Sequence, residues 1–260
     1  MKEIKITEKA HKEIKKLFSI RNAVNTLKSD PELTAIFDNF AFDETLEVVD
    51  GPVLEKTRIM CILASTIGCQ GLMEFRMFVD AALNVGVKPR EIREIVYQAV
   101  PFLGFTRVVC FLLAMNEVFD NNDIRLPLDD QGTTTMENRE EKGREMIDAL
   151  WGVGNADNME ETSPKGQEHI VRYMAAYCFG QFYTRNGIDL QHRELITFCM
   201  LAAMGGCDDR LRTHAIGCKN TGTTKKEMVA AVTAILPWIG FPRSLNAINI
   251  INDAYSERLI

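Results

Sequence analysis

The stretch VPFLGFTR at residues 100–107 returns as LPWIGFPR at residues 236–243. A proline on an apolar run, then an aromatic, an aliphatic, Gly-Phe, a turn residue and an arginine form a string that composition alone does not repeat. Pro101 and Pro237 are 136 residues apart, and that separation implies a duplicated unit. Proline inside an apolar helix removes one backbone hydrogen bond and bends it. The repeated phrase therefore marks a bent helix end followed by a chain reversal.

Working outward, the same separation relates Asn84 to Asn220, Gly86 to Gly222, Glu91 to Glu227, Gly104 to Gly240 and Arg107 to Arg243. Further upstream, Leu195, Phe198, Cys199 and Ala202 recur at helical spacing and predict a buried stripe. Subtracting 138 gives Thr57, Met60, Cys61 and Ala64, so the first copy is expected to carry two extra residues between Cys69 and Arg76. Asp30-Pro31 and Ser163-Pro164 each place a cap residue before a proline and are expected to start helices. Thr224 and Glu227 form a capping box, and Gly86 and Gly222 sit where a left-handed residue ends a helix. Strand-like alternation is scarce. The polar stretch FDNNDIRLPLDDQGTTTMENRE reads as a linker. The expected organisation is all-α: a first helical repeat over 1–122, a linker over 123–135 and a second repeat over 136–260, packed as a pseudo-symmetric pair.

The 260 residues are 46% hydrophobic and 25% charged, with a formal net charge of −6. That composition fits a globular protein with a real core, and it lacks the basic footprint of a nucleic-acid binder. No apolar run is long enough to span a membrane, and the N-terminal stretch has no signal-like segment. Seven cysteines without a pairing pattern point to free thiols in a reducing compartment, hence the cytoplasm. CxxC, HExxH, Walker and GxGxxG motifs are missing, so neither a metal nor a nucleotide is expected.

The segment FGQFYTRNGIDLQHRELITFCMLAAMGGCDDRLRTHAIGCKNTGTTKKEMVAAVTAILPWIGFPRSLNAI resembles the carboxymuconolactone decarboxylase family, and the first half does so less closely. The resemblance implies a tandem pair of alkyl hydroperoxidase D-like helical units. It also implies a homo-oligomer, a trimer of such chains imitating a ring of six units. Two chemistries run in that family: cofactor-free decarboxylation of a carboxylated lactone, and thiol peroxidase chemistry on C-x-x-C-x-x-x-H. Here the second motif's frame reads Cys207-Asp-Asp-Arg210-Leu-Arg-Thr-His214, with arginine in place of the second cysteine. In the first copy the matching positions are Gly71, Glu74 and Phe78, which makes that copy a scaffold or one wall of a site.

Three residues are candidates for catalysis. His214 lies one helical turn beyond Arg210, where its imidazole would lean back over the guanidinium and stay a neutral base. Cys207 would sit at a helix N-terminus, which favours a thiolate, although Asp208 and Asp209 oppose it. Glu194 opens a helix, and the resemblance gives it an acid/base or histidine-orienting role. Arg185, Arg193 and Arg210 are candidate carboxylate binders, because guanidinium forks match carboxylates, and Tyr183 is a candidate pocket wall. The leading expectation is cofactor-free acid/base chemistry on a small, anionic, cyclic molecule. A thiol-dependent peroxidase using Cys207 and a non-catalytic ligand binder are the alternatives.

Overall fold

The computed structural model describes residues 5–18 and 29–256. Among these residues the regular structure is helical, with one isolated bridge between Asp50 and Val53. The first repeat contains α1 (Glu8–Leu17), α2 (Pro31–Asn39) running into a π-helical turn (Phe40–Glu44), α3 (Leu46–Val49), α4 (Glu55–Gly68), α5 (Leu72–Asn84), α6 (Pro89–Leu103) and α7 (Phe105–Asn121). The second contains α8 (Arg139–Trp151), α9 (Asn155–Glu161), α10 (Glu168–Tyr173) running into a π-helical segment (Met174–Tyr183), α11 (Leu190–Met204), α12 (Asp208–Asn220), α13 (Lys225–Ile239) and α14 (Phe241–Ala254).

The duplication extends to single hydrogen bonds. Asn84 Nδ2 donates to Leu17 O at 2.9 Å, and Asn220 Nδ2 donates to Leu150 O at 2.7 Å, each tying a repeat's first helix to its α5 or α12. Gly104 and Gly240 end α6 and α13 at φ 84° and 80°, backbone that a side chain disfavours, and so turn the chain into α7 and α14. Pro101 and Pro237 lie inside those two helices near the bend. At the start of α13, Thr224 Oγ1 accepts from Glu227 N at 3.2 Å while Glu227 Oε2 accepts from Thr224 N at 2.6 Å, closing the expected capping box.

Two local expectations fail. Ser163-Pro164 does not start a helix: Gly166 at φ 85° breaks the segment, and α10 begins only at Glu168. Nor does the first copy carry two extra residues after Cys69. Helices α4 and α11 end at Gly68 and Met204, each followed by a three-residue loop, so the 136-residue register holds there too. Cys61 and Cys199 are not equivalents but neighbours across the contact between α4 and α11, and both are fully buried. Gly68 allows that contact, since a Cβ there would lie 2.3 Å from the backbone oxygen of Met200. One apolar core runs through both repeats around these two helices. The linker is pinned as well: Arg93 Nη1 donates to Leu128 O at 2.9 Å, and Thr134 Oγ1 donates to Gly180 O at 2.8 Å.

Candidate functional site

A cavity of about 980 Å³ lies in the second repeat, between α8, the π-helical segment, α11 and α12, and is completed by the end of α6 from the first repeat. His214, Cys207 and Arg210 from α12 line it, together with Phe102, Trp151, Phe179, Leu201 and Met204. The repeated phrase thus contributes directly, because Pro101 and Phe102 of the first copy form a wall of the second copy's cavity.

His214 is 5% exposed, and its Nδ1 lies 3.0 Å from Glu194 Oε2. A carboxylate partner assigns the proton to Nδ1, which leaves Nε2 with its lone pair. The ring is clamped edge-on by Phe102 at 5.2 Å and Trp151 at 6.0 Å, and the Trp151 indole is itself held by donation to Thr213 O at 3.2 Å. Glu194 is fully buried one turn into α11 rather than at the helix start, where Asp189 is the cap. Its other oxygen accepts from Tyr183 Oη at 2.6 Å. Gly217, one turn past His214, makes room for this carboxylate: a Cβ there would stand 2.0 Å from Glu194 Oε2. Burial, reinforced by Glu194, pushes the Tyr183 hydroxyl well above its ordinary range and keeps it a proton donor. Tyr183 therefore stands behind Glu194 and not at the cavity surface.

The network continues into the first repeat. Gln98 Nε2 donates to Thr197 Oγ1 at 3.2 Å, Arg193 Nη1 donates to Gln98 Oε1 at 3.0 Å, and Arg193 Nη2 donates to Glu94 Oε2 at 3.1 Å. Arg185 Nε donates to the same Glu94 carboxylate at 3.0 Å. These contacts correct the reading of two arginines. Arg185 and Arg193 face Glu94, which is fully buried, and neither lines the cavity. Their partner comes from a helix 91 and 99 residues away in sequence. Arg210 does line the cavity, is exposed, and has no ion pair among the described residues. His214 is oriented by Glu194 and not by Arg210.

Cys207 caps the start of α12, half-buried, with Sγ 3.6 Å from Leu201 O. Burial, together with the neighbouring Asp208, pushes its thiol up, so the helix end does not produce the expected low-pKa thiolate. Cys178, also on the cavity, is raised by burial and by Glu194. Sequence reasoning missed Glu94, Gln98, Thr197, Phe102, Trp151 and Gly217. Of these, Phe102 lies in the repeated phrase, and Gly217 left a local signal, a glycine inside an otherwise regular helix.

The model of the carboxymuconolactone decarboxylase family matches this sequence twice, over residues 31–117 and 168–253, more than half of the chain. The chain belongs to the carboxymuconolactone decarboxylase family. Its resemblance to known members is distant. A 4-carboxymuconolactone decarboxylase from Acinetobacter baylyi is 24% identical over 121 residues, 46% of this chain and 90% of that protein, so the relative spans about one repeat. A crystal structure described as a gamma-carboxymuconolactone decarboxylase subunit from Burkholderia xenovorans LB400 superposes with a TM-score of 0.54 at 17% identity, covering 92% of this chain and 93% of that one. That likeness establishes a shared fold across both repeats.

Proposed function

We propose that this family member is an enzyme carrying out cofactor-free proton transfer at a carbon atom of a carboxylated small molecule, with decarboxylation as the leading reaction. The observation that supports this most is the His214–Glu194 pair, buried on the protein side and presenting imidazole Nε2 to a cavity. Glu194 holds the ring, and its charge offsets the positive charge that develops when Nε2 takes a proton. Tyr183 fixes the second carboxylate oxygen. Arg210, exposed and without an ion pair among the described residues, is a cation available to a substrate carboxylate. In the decarboxylation, Nε2 first takes up a proton from water, the bond to the departing CO₂ breaks with its electron pair moving into a conjugated carbonyl, and the Nε2 proton is then delivered to carbon, which returns the ring to its neutral form.

The thiol alternative draws on Cys207 lining the same cavity, but a peroxidatic cysteine needs a depressed pKa and this one is raised. Assembly into a homo-oligomer belongs to the same reading. Leu33 and Ile36 on α2 are 66% and 47% exposed, and Ile170 and Tyr173 on α10 are 58% and 67% exposed, so each repeat presents an exposed apolar pair on the helix that precedes its π-helical segment.

The test is turnover of carboxylated lactones, followed by CO₂ release, for the natural chain and for His214→Gln. A loss of about 10²- to 10⁴-fold is expected for the variant. Unchanged turnover, or sulfenic acid trapped selectively at Cys207 during peroxide consumption, would overturn the reading. No turnover by the natural chain, with tight binding retained, would leave a ligand binder.

A further inference from the structure

We propose that the cavity takes bulky, largely apolar monocarboxylates, with multi-ring or long acyl bodies, rather than compact polar lactone acids. The inference rests on the reading of this cavity as the substrate site and adds the class of molecule that fills it.

Size is the first argument. A cavity of about 980 Å³ is near the upper end of the ~300–1,000 Å³ that hold drug-sized ligands. At roughly 30 Å³ of liquid per water it holds on the order of thirty waters. A compact ring acid would leave most of that space as water against apolar walls, which is the arrangement the hydrophobic effect disfavours.

The nature of the walls is the second. Phe102, Trp151, Phe179 and Leu201 supply rigid apolar area around His214, while Met159, Met174 and Met204 supply flexible thioether side chains that adapt to a large body. Charge is the third. Among the described residues, two arginines, Arg139 and Arg210, line the cavity, and no aspartate or glutamate does. Arg139 is held by a neutral partner, donating to Gln181 Oε1 at 2.8 Å, so its charge is not cancelled. Walls that are mostly apolar, with two guanidinium groups beside neutral polar side chains such as Asn155 and Thr213, fit a ligand with an apolar body and an anionic head. A molecule polar over its whole surface would lose hydration along the aromatic and methionine walls without replacing it.

Calorimetric titration of the full chain with 5-oxotetrahydrofuran-2-carboxylate, benzoate, 2-naphthoate and pyrene-1-carboxylate tests this. The dissociation constant is expected to fall by about tenfold at each step from the lactone acid to 2-naphthoate, because each step offers more apolar surface to be removed from water. Arg210→Ala is expected to weaken every carboxylate by about tenfold. Ala176→Phe, which fills part of the cavity wall, is expected to weaken pyrene-1-carboxylate and 2-naphthoate while sparing the lactone acid. A flat or reversed size series in the natural chain would overturn the proposal, as would neutral 2-naphthamide binding as tightly as 2-naphthoate. His214→Gln separates the two readings: a preserved size series with unchanged turnover removes the acid/base chemistry and keeps the ligand class. A flat series with turnover abolished does the reverse.

Discussion

The two repeats place the same helices around two equivalent spots, and among the described residues one is a cavity while the other is filled by aromatic rings. Where the second repeat has His214 beneath Phe102 at 5.2 Å, the first has Phe78 beneath Trp238 at 4.8 Å, each residue shifted by 136. Phe18, following α1, packs on Phe78 at 5.5 Å as Trp151, at the end of α8, packs on His214 at 6.0 Å. Phe37 and Phe42 close the remaining space against Trp238, at 5.0 and 6.1 Å. Behind the site the contrast continues. Glu94 and Gln98, contributed by the first repeat, carry the buried polar network behind the second repeat's site, while the matching residues Ala230 and Ala234 pack with Val49 and Val53 in a small apolar cluster. Arg58 occupies the position of Glu194 and is tied to Glu13 and Glu55. One spot of the duplicated unit is therefore filled with aromatic rings and the other is open. Burying rings stabilises the fold, whereas a cavity with a buried carboxylate costs stability that function must justify.

Exchanging residues between the repeats tests the contrast. The largest effect is expected from His214→Phe, which imports the first repeat's residue: turnover falls by about 10²- to 10⁴-fold. The melting temperature also falls, because Glu194 Oε2 loses its partner, and adding Glu194→Gln is expected to recover part of that loss. No recovery in the double variant would break the equivalence of the two spots. Next, Phe78→Ala opens the plugged spot and is expected to cost about 3–5 kcal/mol in denaturant unfolding. Phe102→Ala enlarges space that already exists and is expected to cost clearly less. Equal losses would mean that the two spots are packed alike.

Gly217→Ala imports the methyl group that the first repeat carries as Ala81. With no room beside Glu194 Oε2, the carboxylate must shift, and misplacement of about 1 Å is expected to lower kcat by about 100-fold. Unchanged kcat would show that the carboxylate position is not critical. The smallest effect concerns Cys207. Its pKa is raised, so its thiolate fraction at a given pH is below that of a free cysteine, and alkylation by iodoacetamide should accelerate only as the pH climbs beyond the ordinary thiol value of ~8.5. Peptide mapping should find it slower than exposed Cys110 at neutral pH, and Asp208→Asn should speed it. Rapid alkylation of Cys207 at neutral pH would restore the thiol reading.

What the sequence made legible was local. Thr224 with Glu227, Gly104 with Gly240 and the two in-helix prolines act through neighbours within a turn, so their roles survive translation into structure. Gly166 defeated Ser163-Pro164 by the same kind of local effect, two residues further on than the cap signal extends. The similar surroundings of Cys61 and Cys199 suggested equivalence, but they reflect burial at a shared seam, which composition alone does not distinguish from descent of one position from another. Arg185 and Arg193 were misread for a different reason. Their proximity to His214 in sequence was visible, whereas the charge that occupies them, Glu94, comes from the other repeat. The family frame brought His214 and Glu194 forward, and the hydrogen-bond geometry places them together and supplies the direction of the ring.

The most direct test of a single working site is nitrogen-detected NMR of the imidazoles during titration with 2-naphthoate, because the chain contains only four histidines. The account predicts that the His214 ring nitrogens shift and saturate at one ligand per chain, with His11 and His192 unmoved. His214 resonances unchanged at saturation, or a second equivalent bound per chain, would contradict it.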